Sequence, residues 1–245
     1  MWRPLTVLTV ALLAGCSGLV VGGDAPGETV TPAPVPDTAT DVPVPLRNGT
    51  VDMDRLLSRH DAALAERSYH RRIVREGPQN TRDVWVDRDG GVVRVRQTFG
   101  PLVDDSVLVG NREYTNVRDD PDTDYVIRPS EGQIPYVRTL SGGAFLAQVL
   151  TGGEYRRLGT VQRDGRTLAV VGTNRTDGAL SPSRNAILSS RVYVDRAGVV
   201  RYVDHRARRP DGSNLTVEMT ITTGLERVPV PWWLRDADPY VSGSM

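Results

Sequence analysis

The sequence predicts an α+β fold, a curved antiparallel sheet of about ten or eleven strands covered on its concave face by an N-terminal helix and a helical insert. Three observations predict it. From Tyr69 to Thr222 the apolar residues recur mostly at every second position, the period of strands. Short turn signals separate these runs, among them Asp89-Gly90-Gly91, Gly110-Asn111, Asp164-Gly165 and Asp211-Gly212, and links that short join antiparallel neighbours. Two stretches replace the strand period with a helical one, and twisted strands with one face to hide need such a cover.

In chain order, residues 1–15 have the parts of a signal peptide: Arg3 with the α-amine, an apolar run from Leu5 to Leu13, then Ala14 and Gly15. The next residue, Cys16, is the chain's one cysteine and stands where lipoprotein processing attaches a lipid. The apolar run is about ten residues, short of the roughly 20 a spanning helix needs. The expected location is therefore the outer face of the cytoplasmic membrane, lipid-anchored and extracytoplasmic. Residues 16–50 are rich in Pro, Gly and Thr with neither period, and Pro32-Ala33-Pro34-Val35-Pro36 and Pro43-Val44-Pro45 make them a semi-extended, disordered tether. The folded domain is expected over 51–235, with 236–245 as a disordered tail.

Asp52 is the expected N-cap of a helix reaching residue 66, with Met53, Leu56, Leu57, His60 and Leu64 on one face. Strands are predicted at 69–75, 82–87, 92–99, 106–109, 112–117 and 124–128. Ser141 then caps a helical patch carrying Phe145, Leu146, Val149 and Leu150, which Gly152-Gly153 ends. Further strands are predicted at 154–162, 167–173, 190–195, 199–208 and 215–222. In the last, Leu215, Val217, Met219 and Ile221 alternate with Thr216, Glu218, Thr220 and Thr222, as in a sheet with one covered face.

Composition narrows the chemistry. Thirty basic residues balance thirty acidic ones, and that neutrality argues against a nucleic-acid partner. Every basic residue is arginine, so a phosphate-binding loop with its lysine, a Schiff base and Ser-x-x-Lys acyl transfer are all excluded. Three histidines and one lipidated cysteine leave no zinc site. Asp120, Asp122, Asp124 and Glu131 match the acidic positions of a calcium loop, but Tyr125 stands where that loop turns on glycine, and a surface turn explains the cluster better. Adjacent Asp104 and Asp105 would point to opposite faces of a strand. No catalytic residue, metal or cofactor is expected, and the chain is read as a non-enzyme.

The layout resembles the LolA-like half-barrel fold of lipoprotein carriers and mycobacterial glycolipid-binding lipoproteins. That likeness is carried by the order of elements: a helix first, then a long antiparallel meander interrupted by a helical segment, on a lipid-anchored chain. A second, more local likeness is carried by the leading helix with Leu56-Leu57, His60 and Ala62-Ala63-Leu64 before Ser68-Tyr69, the Gly153-Glu154-Tyr155 and Arg163-Asp164-Gly165 turns, and the closing Pro231-Trp232. With the Cys16 motif and its Pro/Thr tether, these resemble a family of haloarchaeal envelope lipoproteins. The carrier resemblance implies a concave face that holds an acyl chain or lipid.

The function expected is thus a lipid-anchored binding protein with a lipid or other hydrophobic ligand in its cavity. The alternative is an envelope interaction or structural lipoprotein with a solid core and a protein partner. The expected ligand-lining residues are Leu56, Leu57, Val93, Val95, Phe145, Leu146, Leu215, Val217, Met219 and Ile221. His60 reads as a core or boundary histidine with one hydrogen bond rather than a ligand or catalytic group. Arg71, Arg72 and Arg75, and Arg206, Arg208 and Arg209, read as solvated faces balanced by Asp, the alternative being contact with anionic headgroups or a polyanionic partner. Asn48, Asn174 and Asn214 open glycosylation sequons. Pro229-Val230-Pro231-Trp232-Trp233-Leu234 is expected to run extended and pack both Trp rings on a sheet edge or barrel mouth, for core closure or for a membrane or ligand contact.

Overall fold

The computed structural model describes residues 42–117, 126–129, 137–150, 152–173 and 185–237, all within the compact unit Ala39–Met245. Two short strands, β1 (Leu46–Arg47) and β2 (Thr50–Val51), lead into helix α1 (Met53–Ala65). Asp52 caps it, accepting the Arg55 N–H at 3.0 Å. Six strands follow: β3 (Tyr69–Arg75), β4 (Asn80–Asp87), β5 (Val92–Phe99), β6 (Leu102–Val109), β7 (Arg112–Asn116) and β8 (Val126–Pro129). The insert is two helices, α2 (Val137–Ser141) and α3 (Gly143–Leu150). Then come β9 (Arg156–Arg163), β10 (Arg166–Thr173), β11 (Ala186–Val194), β12 (Val200–Arg208) and β13 (Asn214–Thr223), and last a short α4 (Trp232–Ala237).

Eleven of these strands form one open, curved sheet in the order β8-β7-β6-β5-β4-β3-β13-β12-β11-β10-β9, every neighbouring pair antiparallel. It consists of two sequential meanders joined at one seam, where β13 pairs with β3 from Val217↔Arg75 to Thr223↔Tyr69. This order sets the route of the insert. Strands β8 and β9 lie at opposite edges, so the chain between them crosses a face of the sheet, and it does so with α2 and α3.

That face is the concave one. Leu56, Leu57, His60 and Leu64 are the buried residues of α1, at the spacing of one helix face. Leu146 and Leu150 from α3 join them, as do Leu215, Val217, Met219 and Ile221 from β13, whose intervening residues are exposed. Together with Tyr69, Ile73, Val84 and Val86 they form one core cluster. Each large apolar side chain taken fully out of water there contributes ~1.5–3 kcal/mol.

The single covered face foreseen from β13 holds for that strand but not for the first meander. Trp85, Val92, Val107 and Tyr114 project from the outer face of β4 to β7, and Leu225, Val228, Trp233 and Leu234 return from the end of β13 to cover them. Under this strap lies a buried ion pair. Arg94 Nε and Nη2 donate to the two oxygens of Asp105 at 2.9 and 2.7 Å, Nη1 donates to the Pro229 carbonyl at 2.6 Å, and Trp233 Nε1 donates to Asp105 at 3.2 Å. The guanidinium also sits 4.9 Å from the Trp85 ring.

The end of the strap corrects the expectation of an extended segment with two packed Trp rings. Pro231 cannot continue a ladder, and its carbonyl accepts the Leu234 N–H at 3.2 Å, which starts α4 at Trp232. A helical turn sends neighbours in different directions, so Trp233 is buried while Trp232 is 42% exposed. No helix among the described residues is long and apolar enough to cross a membrane.

Candidate functional site

Alternation on β3 places Tyr69, Arg71 and Ile73 on the concave face and Arg72 on the outer one. The register sets Ile73 opposite Arg82 of β4, and Arg82 opposite Gln97 of β5. Above this end of the sheet stand Thr139 of α2 and Ala144 and Phe145 of α3. Among the described residues, Arg71, Ile73, Arg75, Asn80, Arg82, Gln97, Thr139, Ala144 and Phe145 enclose a cavity of about 160 Å³. Three arginines line it, with Ile73 and the Phe145 ring as its apolar wall. The Arg75 guanidinium lies 5.9 Å from the centre of that ring.

Arg71 is the unusual member. The sequence predicts a solvated face balanced by Asp for it; the structure puts it inside, 1% exposed, because it shares its strand face with Tyr69 and Ile73. Its Nη1 donates to the Thr139 carbonyl at 2.9 Å, while its Nε and the Nε of Arg82 are buried without an acceptor. Burial pushes the Arg71 guanidinium down to about 10, and the Arg82 charge pushes the same way against a smaller opposing effect of Tyr69. Burial pushes the Tyr69 phenol up to about 12, so it stays neutral.

Gly142, between α2 and α3, makes room for this arrangement. Its φ is +90°, and a Cβ there would lie 2.7 Å from Arg71 Nη1 and 3.0 Å from Arg71 Cδ. Gly142→Ala is expected to strain the backbone and displace the guanidinium, lowering unfolding free energy by ~1–3 kcal/mol in urea titrations. A variant as stable as the parent would contradict this packing.

The rest of the insert is held by His60 and its neighbour. His60 Nδ1 accepts the Val200 N–H at 3.2 Å and Nε2 donates to the Ser141 carbonyl at 3.3 Å, so one buried ring ties α1 to both α2 and β12. It is a core histidine, as expected, with two hydrogen bonds rather than one. Burial pushes it down to about 4. The Ser141 hydroxyl donates to Asp61 and accepts the Gly143 N–H at 3.1 Å, which caps α3 as foreseen.

Of the ten expected lining residues, Leu56, Leu57, Val93, Leu146, Leu215, Val217, Met219 and Ile221 are buried in the one core cluster. Val95 and Phe145 are partly buried against it, and Phe145 alone of the ten borders the arginine-lined cavity. In the second Arg cluster, Arg206 and Arg208 are exposed and Arg206 lies 3.7 Å from Asp204, as expected, whereas Arg209 is half-buried and bonds to Glu76 instead of an Asp. Asn48 and Asn214 are exposed, the first in the turn between β1 and β2 and the second at the start of β13. Cys16, Asn174, Asp120, Asp122, Asp124 and Glu131 lie outside the described residues. The arginine cavity was missed as a unit, although the alternation Tyr69, Arg71, Ile73, Arg75 already put two arginines among apolar neighbours.

No family model matches the sequence, and no curated protein matches it. Among solved structures the chain is similar to the lipoprotein LppX of Mycobacterium tuberculosis, at 16% identity over 73% of this chain and 99% of that one, with a TM-score of 0.40. It is similar to LprF of Mycobacterium bovis at 14% identity, over 74% and 96% of the two chains, with a TM-score of 0.40. For a LolA superfamily protein of Nitrosomonas europaea the values are 9%, 78%, 99% and 0.26. The fold of this chain is defined by its own strand order and register: an open, curved antiparallel sheet with helices on its concave face.

Proposed function

We propose that this chain is an extracytoplasmic binding protein, held to the membrane by a lipid on Cys16, that carries a lipid or other hydrophobic ligand at the mouth of its half-barrel. One observation carries the reading. Helices α1 and α3 fill the middle of the concave face with packed side chains, but beside Phe145 and Ile73 the same face leaves a cavity of about 160 Å³. At ~30 Å³ per water molecule it holds about five waters, room for the polar end of an amphiphile and a few further atoms. The rest of a ligand would lie along the rim.

The reading treats the protein as a non-enzyme. What supports it is that His60, the buried histidine beside the insert, spends both ring nitrogens on backbone partners and stays neutral down to about pH 4. A second reading, an envelope interaction protein with a solid core, is favoured by the eight expected lining residues that belong to one packed core cluster and do not border this cavity.

Native mass spectrometry of the full-length protein, extracted from its own membranes in mild detergent, separates the two. The binding reading predicts a mass carrying the Cys16 lipid and one further stoichiometric hydrophobic adduct. A mass without that adduct, together with no thermal shift from any lipid tested, would leave the interaction protein as the correct account.

A further inference from the structure

Buried arginines in this protein normally have an aspartate. Arg94, 6% exposed, lies 2.7 Å from Asp105, and Arg201, 4% exposed, lies 2.6 Å from Asp195. Arg71 is buried more deeply than either, and among the described residues no carboxylate forms an ion pair with it, with Arg75 or with Arg82. The largest charge effect on it is the like charge of Arg82. An ion kept from water without a counter-charge costs several kcal/mol, and a chain with as many acidic as basic residues has aspartates to spare. Among the described residues the compensating charge is missing at a place where the fold leaves a cavity.

We propose that Arg71, Arg82 and Arg75 form an anion-binding subsite that takes the acidic headgroup of an amphiphile, a phosphate, sulfate or carboxylate, with its apolar part leaving along the rim of the sheet. The proposal rests on the binding reading above and names the ligand class for that site. The donor set fits an oxyanion: two buried Nε–H groups lack acceptors, and guanidinium forks match tetrahedral and planar oxyanions in geometry. Asn80 and Gln97 add neutral amide donors on the same wall.

The rim argues for a headgroup over a free ion. Phe99 pairs with Asn80 on one side and Leu102 on the other, which continues the cavity's strand face outward to the tip of the β5–β6 hairpin. Phe99 is 62% and Leu102 59% exposed, so a basic hole opens beside two large apolar side chains in water. A free phosphate has no use for them. An acidic amphiphile uses both.

The test is a calorimetric titration of the full-length protein in nonionic detergent with three probes: dihexanoyl phosphatidylglycerol, uncharged dihexanoylglycerol and inorganic phosphate. The expected result is that the acidic amphiphile binds at least about tenfold tighter than the neutral one, the gain a charge-assisted contact supplies, with phosphate a much weaker, displacing competitor. Arg71→Met and Arg82→Gln should each remove that preference, so that the acidic amphiphile loses about tenfold or more relative to the neutral one. Arg82 is half-buried with an unpaired Nε, so its variant reports on the site even where Arg71→Met destabilises the fold.

Equal affinity for the two amphiphiles, unaltered in Arg82→Gln, would overturn the subsite while the binding reading stands. Phosphate binding as tightly as phosphatidylglycerol would overturn the headgroup assignment. No binding of either amphiphile would overturn the subsite and the binding reading together.

Discussion

Asp105→Asn is expected to destabilise the protein by ~3–5 kcal/mol, because it leaves a buried guanidinium without its charge partner. Asp105 accepts three hydrogen bonds, two from Arg94 and one from Trp233, and an amide oxygen can replace only part of that set. For a domain of this size the loss corresponds to a fall in melting temperature of roughly 6–20 °C. The pair also pins the C-terminal strap, since Arg94 holds the Pro229 carbonyl and Asp105 holds the Trp233 indole. Trp233 emission should therefore shift to the red in the same variant. The double change Arg94→Met with Asp105→Leu removes both charges and should recover most of the stability. A single Asp105→Asn that melts within a degree of the parent would mean that the strap does not depend on this pair.

Acid is expected to weaken the fold well before the carboxylates titrate. His60 and His205 are both pushed down to about 4 from an ordinary value of 6.5, with burial the leading cause in each. For His60, Arg71 and Arg201 reinforce the shift, while the Ser141 carbonyl and Asp195 oppose it. For His205, Asp204 opposes it. Between those values the unfolded chain binds protons that the folded chain refuses. The stability contributed by the neutral rings is thus complete above about pH 6.5 and falls away as the pH drops to about 4, where the folded protein begins to protonate. For fully buried His60 the loss is on the order of 3 kcal/mol. Urea unfolding at a series of pH values should show free energy dropping steadily through this window, and His60→Gln should flatten the slope. A parent curve that stays level from pH 6.5 to 5 would contradict the burial of both rings.

Much of the sheet was legible because its information is local. Leu215, Val217, Met219 and Ile221 alternate in the sequence as they do in the structure, and β3 and β5 begin and end where their period of two predicts. Glycine turns fixed most hairpins. The seam between β13 and β3 was not legible, since no turn joins strands so far apart in sequence. Helix α4 escaped for a related reason: six residues are too few to be stable alone, and this helix exists because Trp233 and Leu234 pack on the outer face of the first meander.

The candidate site divides in the same way. That Arg71 shares a face with Tyr69 and Ile73 follows from counting by twos. That no aspartate among the described residues pairs with it depends on which residues β4, α2 and α3 bring near it, and those are tertiary facts. Whether apolar residues on helix and sheet meet or leave a gap depends on how close α1 and α3 come to the strands. At Leu56 and Met219 they close up; beside Phe145 they leave room.

The central claim is that the ligand sits at the concave mouth between β3, β4 and α3, and hydrogen–deuterium exchange with and without dihexanoyl phosphatidylglycerol tests it most directly. The account predicts slowed exchange in Tyr69–Arg75, Asn80–Asp87, Val92–Phe99 and Gly143–Leu150, with the strands Arg156–Arg163, Arg166–Thr173 and Ala186–Val194 at the far side of the sheet unchanged. Slowing confined to the exposed edge strand Arg156–Arg163, or to the strap over the outer face, would contradict it.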